Sequence, residues 1–559
     1  MNFKIADSKF RELLLPTLLI VMALNISSVV DSFFVGRFIG EYAVAAIDLL
    51  EPLILLVTVF EWLFGLGGQI LSLNKKAEFD SDGSDRYFTL AMLLSFLASL
   101  IMAIVCFVYM DPIATLLHAT PATKPLILQY ATFLYGCFVV STISGVITQY
   151  IRVDGMPNFA SFVIILANVI NIILDYIFLS SGMGMASASL ASFIGYTISL
   201  VVCIYYLRSP KRTFRFVRSA LKLKTFISHS IEIIKIGFPG ASIGVFDVIF
   251  VYLMNAFLAS TLGDIGLTTY MLCMDILVIA SIIDVGISET LTSIVPIYYT
   301  KHDYVNLKHL IKISLILSVA FAAALTVFIL VWPQGFLALY NFHHQDIVGF
   351  AEHALQLYSF LFLLSILPSM LVFYYEAIER TVLSTVLSTL YTLVLPLALV
   401  YILYYAIGSD GIWIAFPLAC LLSTVFVIIT VKIIQMREPK YSGLFFIEKD
   451  LEEKTRNFAL TDNNTKERDE CLQHLKNLNA NEEFCKNTNK IFDVILDTNP
   501  SGTYVEVLVI DYDESIHLDI KYNGDQENLK HLKENFPEGL LKFAEVLGFN
   551  TIEYEMKKS

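Results

Sequence analysis

Charge is scarce in this chain. Asp, Glu, Lys and Arg make up only 16% of its 559 residues, where globular domains carry about a quarter. Mean hydropathy is +0.67, too apolar for a soluble protein of this length. Paired cysteines are lacking as well. Cys106, Cys137, Cys203, Cys273 and Cys420 sit in apolar runs, Cys471 and Cys485 near the end, and no two form a CxxC. That argues against a disulfide framework and against a zinc site. No small-residue cleavage site follows the first apolar run, which contains Asp31, so a retained helix is expected there rather than a signal peptide.

What is present is apolar length. Twelve runs, 12–36, 43–73, 88–109, 123–148, 159–180, 186–207, 231–260, 268–297, 306–331, 350–377, 381–405 and 411–434, are each near or above the ~20 residues that cross a bilayer. The expected fold class is an all-α membrane protein of twelve transmembrane helices. Lysine and arginine are absent from the connections after the fifth, seventh, ninth and eleventh runs. They gather instead at Lys4, Lys9 and Arg11, at Lys75 and Lys76, and at Arg208, Lys211, Arg212, Arg215, Arg218, Lys222 and Lys224. The positive-inside bias then places both termini in the cytoplasm of a multi-pass cell-membrane protein. The net charge of −13 is not one field, because much of the acid lies beyond Tyr441. The basic loops are expected against anionic headgroups, not nucleic acid.

The membrane part repeats. LLLPTLLIVMALNISSVVDSFFVGRFIGEYAVAA lies over IGFPGASIGVFDVIFVYLMNAFLASTLGDIGLTT, with Pro16 on Pro239 and Gly40 on Gly263. Gly65 corresponds to Gly286 after a small shift, and GMGMASASLAS to GSDGIWIAFPLA. Two six-helix repeats are therefore expected, 1–207 and 231–437, joined by a basic linker at 208–230. Duplicated halves are a habit of transporters that rock two bundles about a central site.

Polar groups inside apolar runs are informative, because each needs a partner or water. Asp31 has Ser27 and Ser28 one turn below it, while Asn168, Asn171 and Asp175 share one face of the fifth span. An aspartate at the bilayer centre costs about 2.5–3.5 kcal/mol on insertion scales. The repeat places Met254 opposite Asp31 and Leu399 opposite Asp175, so the acids belong to one half only. Such a pair suits a coupling site, whose carboxylates take up protons or, with amide and hydroxyl oxygens, sodium. A purely structural carboxylate bonded to Asn171 is the alternative for Asp175; Asn168 fits interhelical packing equally well. Asp48, Glu51, Glu61, Asp275, Asp284 and Glu289, with Asp247, add acid to the second, seventh and eighth spans. A cavity lined by them would attract organic cations. Basic partners within the spans are almost absent. Glu51 before Pro52 also reads as a solvated helix end, and His343, His344 and Asp346 as a solvated loop.

The proline-led first span, VVDSFFVGRFIGEYAVAA, and NIILDYIF followed by GMGMASASLAS resemble the multidrug and toxic compound extrusion (MATE) transporters, closest to their DinF-like branch, over roughly residues 8–437. IRVDGMP resembles that family's Arg-x-x-Gly-x-Pro turn at Arg152, Gly155 and Pro157. The resemblance implies cation coupling at Asp31, Asn171 and Asp175, as protons or as Na+ held by those three. It also implies Ser192 in place of the relatives' threonine. Tyr130 is the expected hydroxyl partner, with Tyr135 the neighbouring alternative.

Beyond Tyr441 the composition turns polar. A linker is expected at 438–470, then a small α+β domain at 471–559. In it, TYVEVLVID and SIHLDIKYN alternate like a hairpin closed by DYDE, EGLLKFAEVLG reads as a helix, and NTIEYEMK as a last strand. The domain faintly resembles the ATP-binding domains of histidine kinases and anti-sigma factors, through IFDVILDTN and YNGDQENL. It departs from them at Asp497, where they have asparagine, and Tyr522, where they have aspartate, keeping Gly524. A degenerate regulatory or docking domain with a nucleotide or protein partner is expected.

Taken together, the sequence predicts a monomeric secondary antiporter, not an enzyme and without a cofactor, exporting organic cations against protons or sodium. A flippase for lipid-linked sugars and a membrane-anchored signalling protein acting through its tail are the competing readings.

Overall fold

A computed structural model describes residues 4–117, 119, 121, 123–209, 212–337, 345–461, 465–497, 504–523, 532, 536–537, 540–546 and 549–558. The first half runs α1 Lys4–Phe38, α2 Glu41–Phe60, a π-helical stretch Glu61–Leu66, α3 Gly67–Ala77, α4 Ser81–Leu116, α5 Lys124–Val153, α6 Pro157–Ser180 and α7 Met185–Leu207. The second runs α8 Leu223–Thr261, α9 Gly263–Thr300, α10 Tyr304–Val331, α11 Pro333–Leu337, α12 Gln345–Tyr358, α13 Phe360–Leu364, α14 Ile366–Ala377, α15 Thr381–Thr389, a π-helical stretch Leu390–Val394, α16 Leu395–Ile407 and α17 Ser409–Arg437.

The twelve expected spans are all helical. Eleven meet the length and hydropathy of a membrane span among the described residues, and α1, at 35 residues, is long enough to be the twelfth. Outward-facing side chains such as Phe107, Tyr205 and Ile402 are more than half exposed, as a lipid-facing belt requires. The second, tenth and eleventh spans are each built from more than one helical piece, α2–α3, α12–α14 and α15–α16.

Backbone geometry bears out the duplication. Gly40 and Gly263 both take positive φ between the first and second helices of their halves, and Gly184 and Gly408 both do before the last. The turns after α3 and α9 place Phe79 and His302 in the left-handed region, strained for side chains of that size. Next to each turn an aspartate caps the following helix. Asp80 accepts from the Gly83 amide at 2.9 Å, and Asp303 from the Asn306 amide at 3.3 Å.

Contacts between the lobes cluster at one end of the bundle, the end where α3 meets α4 and α9 meets α10. Glycine allows a close backbone crossing there. A Cβ on Gly237 of α8 would lie 2.1 Å from the Leu63 carbonyl oxygen, and one on Gly67 2.4 Å from that of Ile233. Asn74 donates to Glu379, the Thr300 hydroxyl lies 3.4 Å from Asn74 Oδ1, and His309 lies 2.8 Å from Asp7.

The tail continues from that same end. A short hairpin, β1 Tyr441–Ser442 and β2 Ile447–Glu448, is followed by α18 Lys449–Glu453, β3 Thr455–Thr461, α19 Thr465–Asn477, α20 Glu482–Asp497, β4 Tyr504–Asp511, β5 Ser515–Tyr522, β6 Leu541–Val546 and β7 Phe549–Lys557. The last five strands form one antiparallel sheet in the order β3-β4-β5-β7-β6. The expected hairpin and last strand are present, but two expectations need correction. Residues 438–470 are not simply a linker, since they hold β3 and the start of α19. EGLLKFAEVLG is not a helix; its described core, Leu541–Val546, is an edge strand paired with β7. Its Leu, Lys, Ala and Glu favour helix in isolation, and cross-strand pairing overrides that preference. Asp497 as a side chain and Gly524 fall outside the described residues; Tyr522 is buried on the helix-covered face.

Candidate functional site

α1 and α6 lie side by side, tied where the Ser161 hydroxyl donates to the Pro16 carbonyl at 2.8 Å. Their polar faces meet around Asn171. Its amide nitrogen donates to Asp175 Oδ2 at 3.0 Å and to the Ser192 hydroxyl at 3.1 Å, while its carbonyl oxygen accepts from the Ser27 hydroxyl at 3.2 Å. Three helices therefore converge on one amide.

Asp31 and Asp175 face each other within hydrogen-bonding reach, a contact two carboxyls keep only with a proton between them. Asp175 is 1% exposed, while Asp31 opens onto a cavity of about 480 Å³ in the first lobe. One oxygen of each carboxyl, Asp31 Oδ1 and Asp175 Oδ1, is buried without a hydrogen-bond partner. Tyr130, Asn168, Asn171 and Ser192 also line this cavity, and the Asn168 amide nitrogen is a further buried donor without a partner. The sequence-derived cluster thus comes together: Asp31, Tyr130, Asn171, Asp175 and Ser192 share one neighbourhood. Its exposed donor set is oxygen-rich, which suits protons or a hard cation.

The expected acids are distributed more widely. Glu61 opens the π-helical stretch, against Gly145, where a Cβ would meet its carboxylate at 2.3 Å. Glu289 lines the first-lobe cavity from the second lobe but is not an unpaired acid: Arg152 reaches it at 2.9 Å. The expectation of spans almost without basic partners is corrected there. Arg152 closes α5 and turns inward, also donating to the Thr17 hydroxyl at 3.4 Å. Asp284 and Asp247 line a second cavity, of about 460 Å³, with Phe250, Tyr358, Phe362 and Phe416 around it. Asp284 hydrogen-bonds Ser369. Trp62 lines both cavities, so the π-helical stretch forms part of the wall between them. Asp275 lies half-buried on α9, outside the lining of both. The side chains of Ser28, Asp48, Glu51 and Asp346, and the loop histidines His343 and His344 altogether, lie outside the described residues.

Sequence reading missed Glu376. It is fully buried on α14 beside Gly240 and Trp62, where the register of Gly155 with Glu379 places the counterpart of Arg152. Reading the repeat past its landmarks would have found it.

The family model described as MatE matches the chain twice, over residues 16–177 and 241–402, once in each half. The Multidrug export protein MepA of Staphylococcus haemolyticus is 25% identical over 339 residues, covering 60% of this chain and 73% of that protein. Among solved structures, a MOP superfamily transporter from Pyrococcus furiosus superposes with a TM-score of 0.70 at 18% identity, covering 75% of this chain and 94% of its own. The Vibrio cholerae MATE transporter VcmN superposes with a TM-score of 0.70 at 14% identity, covering 79% and 99%. Both share the fold.

Proposed function

The chain belongs to the MatE family of membrane transporters, and from that premise we propose that it is a secondary antiporter exporting organic cations in exchange for protons or sodium. The observation that carries this reading is the meeting of Asp31 and Asp175 around Asn171. When the proton between the carboxyls leaves, two negative charges remain in an apolar lobe, and that arrangement favours an incoming cation. Binding or release of one ion then changes what the first helix must tolerate, which biases the lobes between two arrangements. Sodium is the competing driver, with Asn171, Ser27 and the two acids as its oxygen donors.

The second cavity supplies the substrate side. Asp247 and Asp284 among aromatic faces form a site that an organic cation satisfies by charge and by ring contact together. The name of the Staphylococcus relative supports export of more than one compound. The lobe-contact end, which carries the tail and both termini, is the cytoplasmic one, its loops bearing most of the lysine and arginine. The transporter works as a monomer in the cell membrane. A lipid-linked sugar flippase would want unpaired cations in the cavity, and Arg152 is already occupied by Glu289.

The test is efflux of a fluorescent organic cation from proteoliposomes under an imposed proton or sodium gradient. Asp31→Asn and Asp175→Asn should each strongly weaken the response to the driving gradient; undiminished coupling in both would sink this reading.

A further inference from the structure

We propose that the tail domain is a clamp, fastening the two lobes to each other at the end where it docks, with Glu506 and Lys521 as its principal contacts. The sheet sets this up by strand alternation. Val505, Val507 and Val509 of β4 and Ile516, Leu518, Ile520 and Tyr522 of β5 face α19 and α20. The intervening Glu506, Asp519 and Lys521 would face water if the domain stood alone, yet each is less than a tenth exposed. They are buried against the bundle.

The contacts reach both lobes. Glu506 Oε1 accepts from the Ile5 amide of the first lobe at 3.2 Å, and its Oε2 accepts from the Asn306 side chain of the second lobe at 3.2 Å. One carboxylate thus holds α1 and α10 together. Lys521 meets Asp303 at 2.7 Å with both side chains nearly inaccessible, and the Asn457 amide donates to the same aspartate at 2.9 Å. Lys301 of the second lobe meets Glu553 of the tail at 2.8 Å and lies 3.8 Å from the centre of the Phe79 ring of the first lobe. Phe549 of β7 joins Phe10 and Leu73 of the first lobe and Leu307 of the second in one apolar cluster.

The duplication offers an internal comparison. Asp80 and Asp303 are equivalent caps, but Asp80 is exposed, whereas Asp303 is buried under the tail's lysine and asparagine. A movement of the lobes that opens this end must break at least one side of the Glu506 bridge and strand a buried partner. The tail therefore biases the transporter toward the arrangement closed at its own end. The consequence for transport rests on the alternating-access reading above; the docking and the lobe distances do not.

The test uses the full chain in lipid nanodiscs, with spin labels on Asp82→Cys and Lys312→Cys, exposed positions of the first and second lobes, and the native cysteines buried. A second pair, Glu514→Cys with Lys312→Cys, reports whether the tail is docked. With Lys521→Ala and Glu506→Ala combined, the tail-to-lobe distance should lengthen, and the ratio of open to closed lobes at that end should rise about tenfold or more. Lys521→Arg should keep both distributions close to the parent. A displaced tail with an unchanged lobe distance, or a tail that stays docked without both side chains, would overturn the proposal. Neither readout needs substrate or a gradient, so failure of the export reading would leave this result standing, and the reverse.

Discussion

Arg152 at the end of α5 and Glu289 on α9 stand 2.9 Å apart, one from each lobe, in the wall of the cavity that holds Asp31. The pair crosses between bodies that alternating access would move, beside a further carboxylate, Glu61, in the same cavity wall.

Removing the arginine should therefore do more than remove a contact. Arg152→Ala leaves Glu289 facing Glu61 unpaired in the half-buried wall of the cavity, at a cost of about 3 kcal/mol or less, since Glu289 is partly exposed. The expected outcome is a lower thermal midpoint and weaker transport. The double variant Arg152→Ala Glu289→Gln should recover most of the midpoint, which thermal unfolding in detergent will measure.

The coupling acids should separate from the substrate acids. Asp175→Asn keeps the shape of the Asn171 contact but removes the titrating group. Coupling free energies of about 1–3 kcal/mol imply a loss of gradient-driven efflux of roughly 5- to 150-fold, with equilibrium binding of the organic cation in the second cavity little changed. Asp284→Asn should show the opposite pattern. Its binding of a cationic probe should weaken about tenfold or more relative to a neutral analogue of the same shape. Binding titrations alongside efflux decide between the two patterns.

The glycine crossing gives a steric prediction. Gly237→Ala puts a methyl 2.1 Å from a backbone oxygen of the facing lobe, and no flexible side chain can yield there. Overpacking of this kind costs about 1–3 kcal/mol. The closed arrangement should lose that much while the individual lobes are untouched. The Asp82 and Lys312 label pair should show longer distances at that end without unfolding.

Docking of the tail should weaken as pH rises. Burial pushes Glu506 up to about 7, with Asp303 adding to the rise and Lys521 and the Ile5 and Ala6 amides opposing it. A carboxyl whose docked value lies above its ordinary 4.5 binds its proton preferentially when docked. Its contribution is full below about 4.5 and is lost as pH climbs through 7, about 3 kcal/mol at the limit. Burial alone would raise Asp303, but Lys521, Asn457 and Asn306 hold it below its usual range. Burial alone would lower Lys521, but Asp303 and Asp519 hold it above its usual range. Neither titrates between about pH 5 and 8. Tyr298 and Asp519 also face this cluster, and the Asp7–His309 contact lies between α1 and α10 close by. The Glu514 and Lys312 label pair should report release over that range. Glu506→Gln should flatten the profile.

How far the sequence carried these conclusions differs by element. The spans were legible because a bilayer forces backbone polar groups into helices, and uninterrupted apolar length announces that directly. Asp31, Asn171 and Asp175 were legible because their cost is conspicuous and the second repeat lacks them. The Arg152–Glu289 pair was not. Its partners lie far apart in sequence, and only the folded approach of the end of α5 to Glu289 on α9 shows that the arginine turns inward. The tail's polar face was misleading for a related reason. Glu506, Asp519 and Lys521 alternate with valines and isoleucines as a solvated sheet face would, although Leu508 and Ile510 share that face and are buried with them, an apolar hint of a cover that does not say which surface supplies it. β3 hid inside charged sequence, where a two-residue period is easily lost.

The hairpin β1–β2 has one more effect. Residues 438–440 alone separate α17 from β1. The hairpin is held to the bundle by the hydroxyls of Tyr299, Tyr374 and Tyr375, which donate to the carbonyls of Phe446, Phe445 and Leu444. A tail domain that lets go of both lobes is thus still leashed next to them. Short leashes give effective concentrations in the millimolar range, so re-docking is a unimolecular event. A soluble molecule competing for the sheet's polar face must outbid that local concentration, and a weak one will not. The chain's own ionisation state, which needs no competitor, is better placed to set how often the leash is tested.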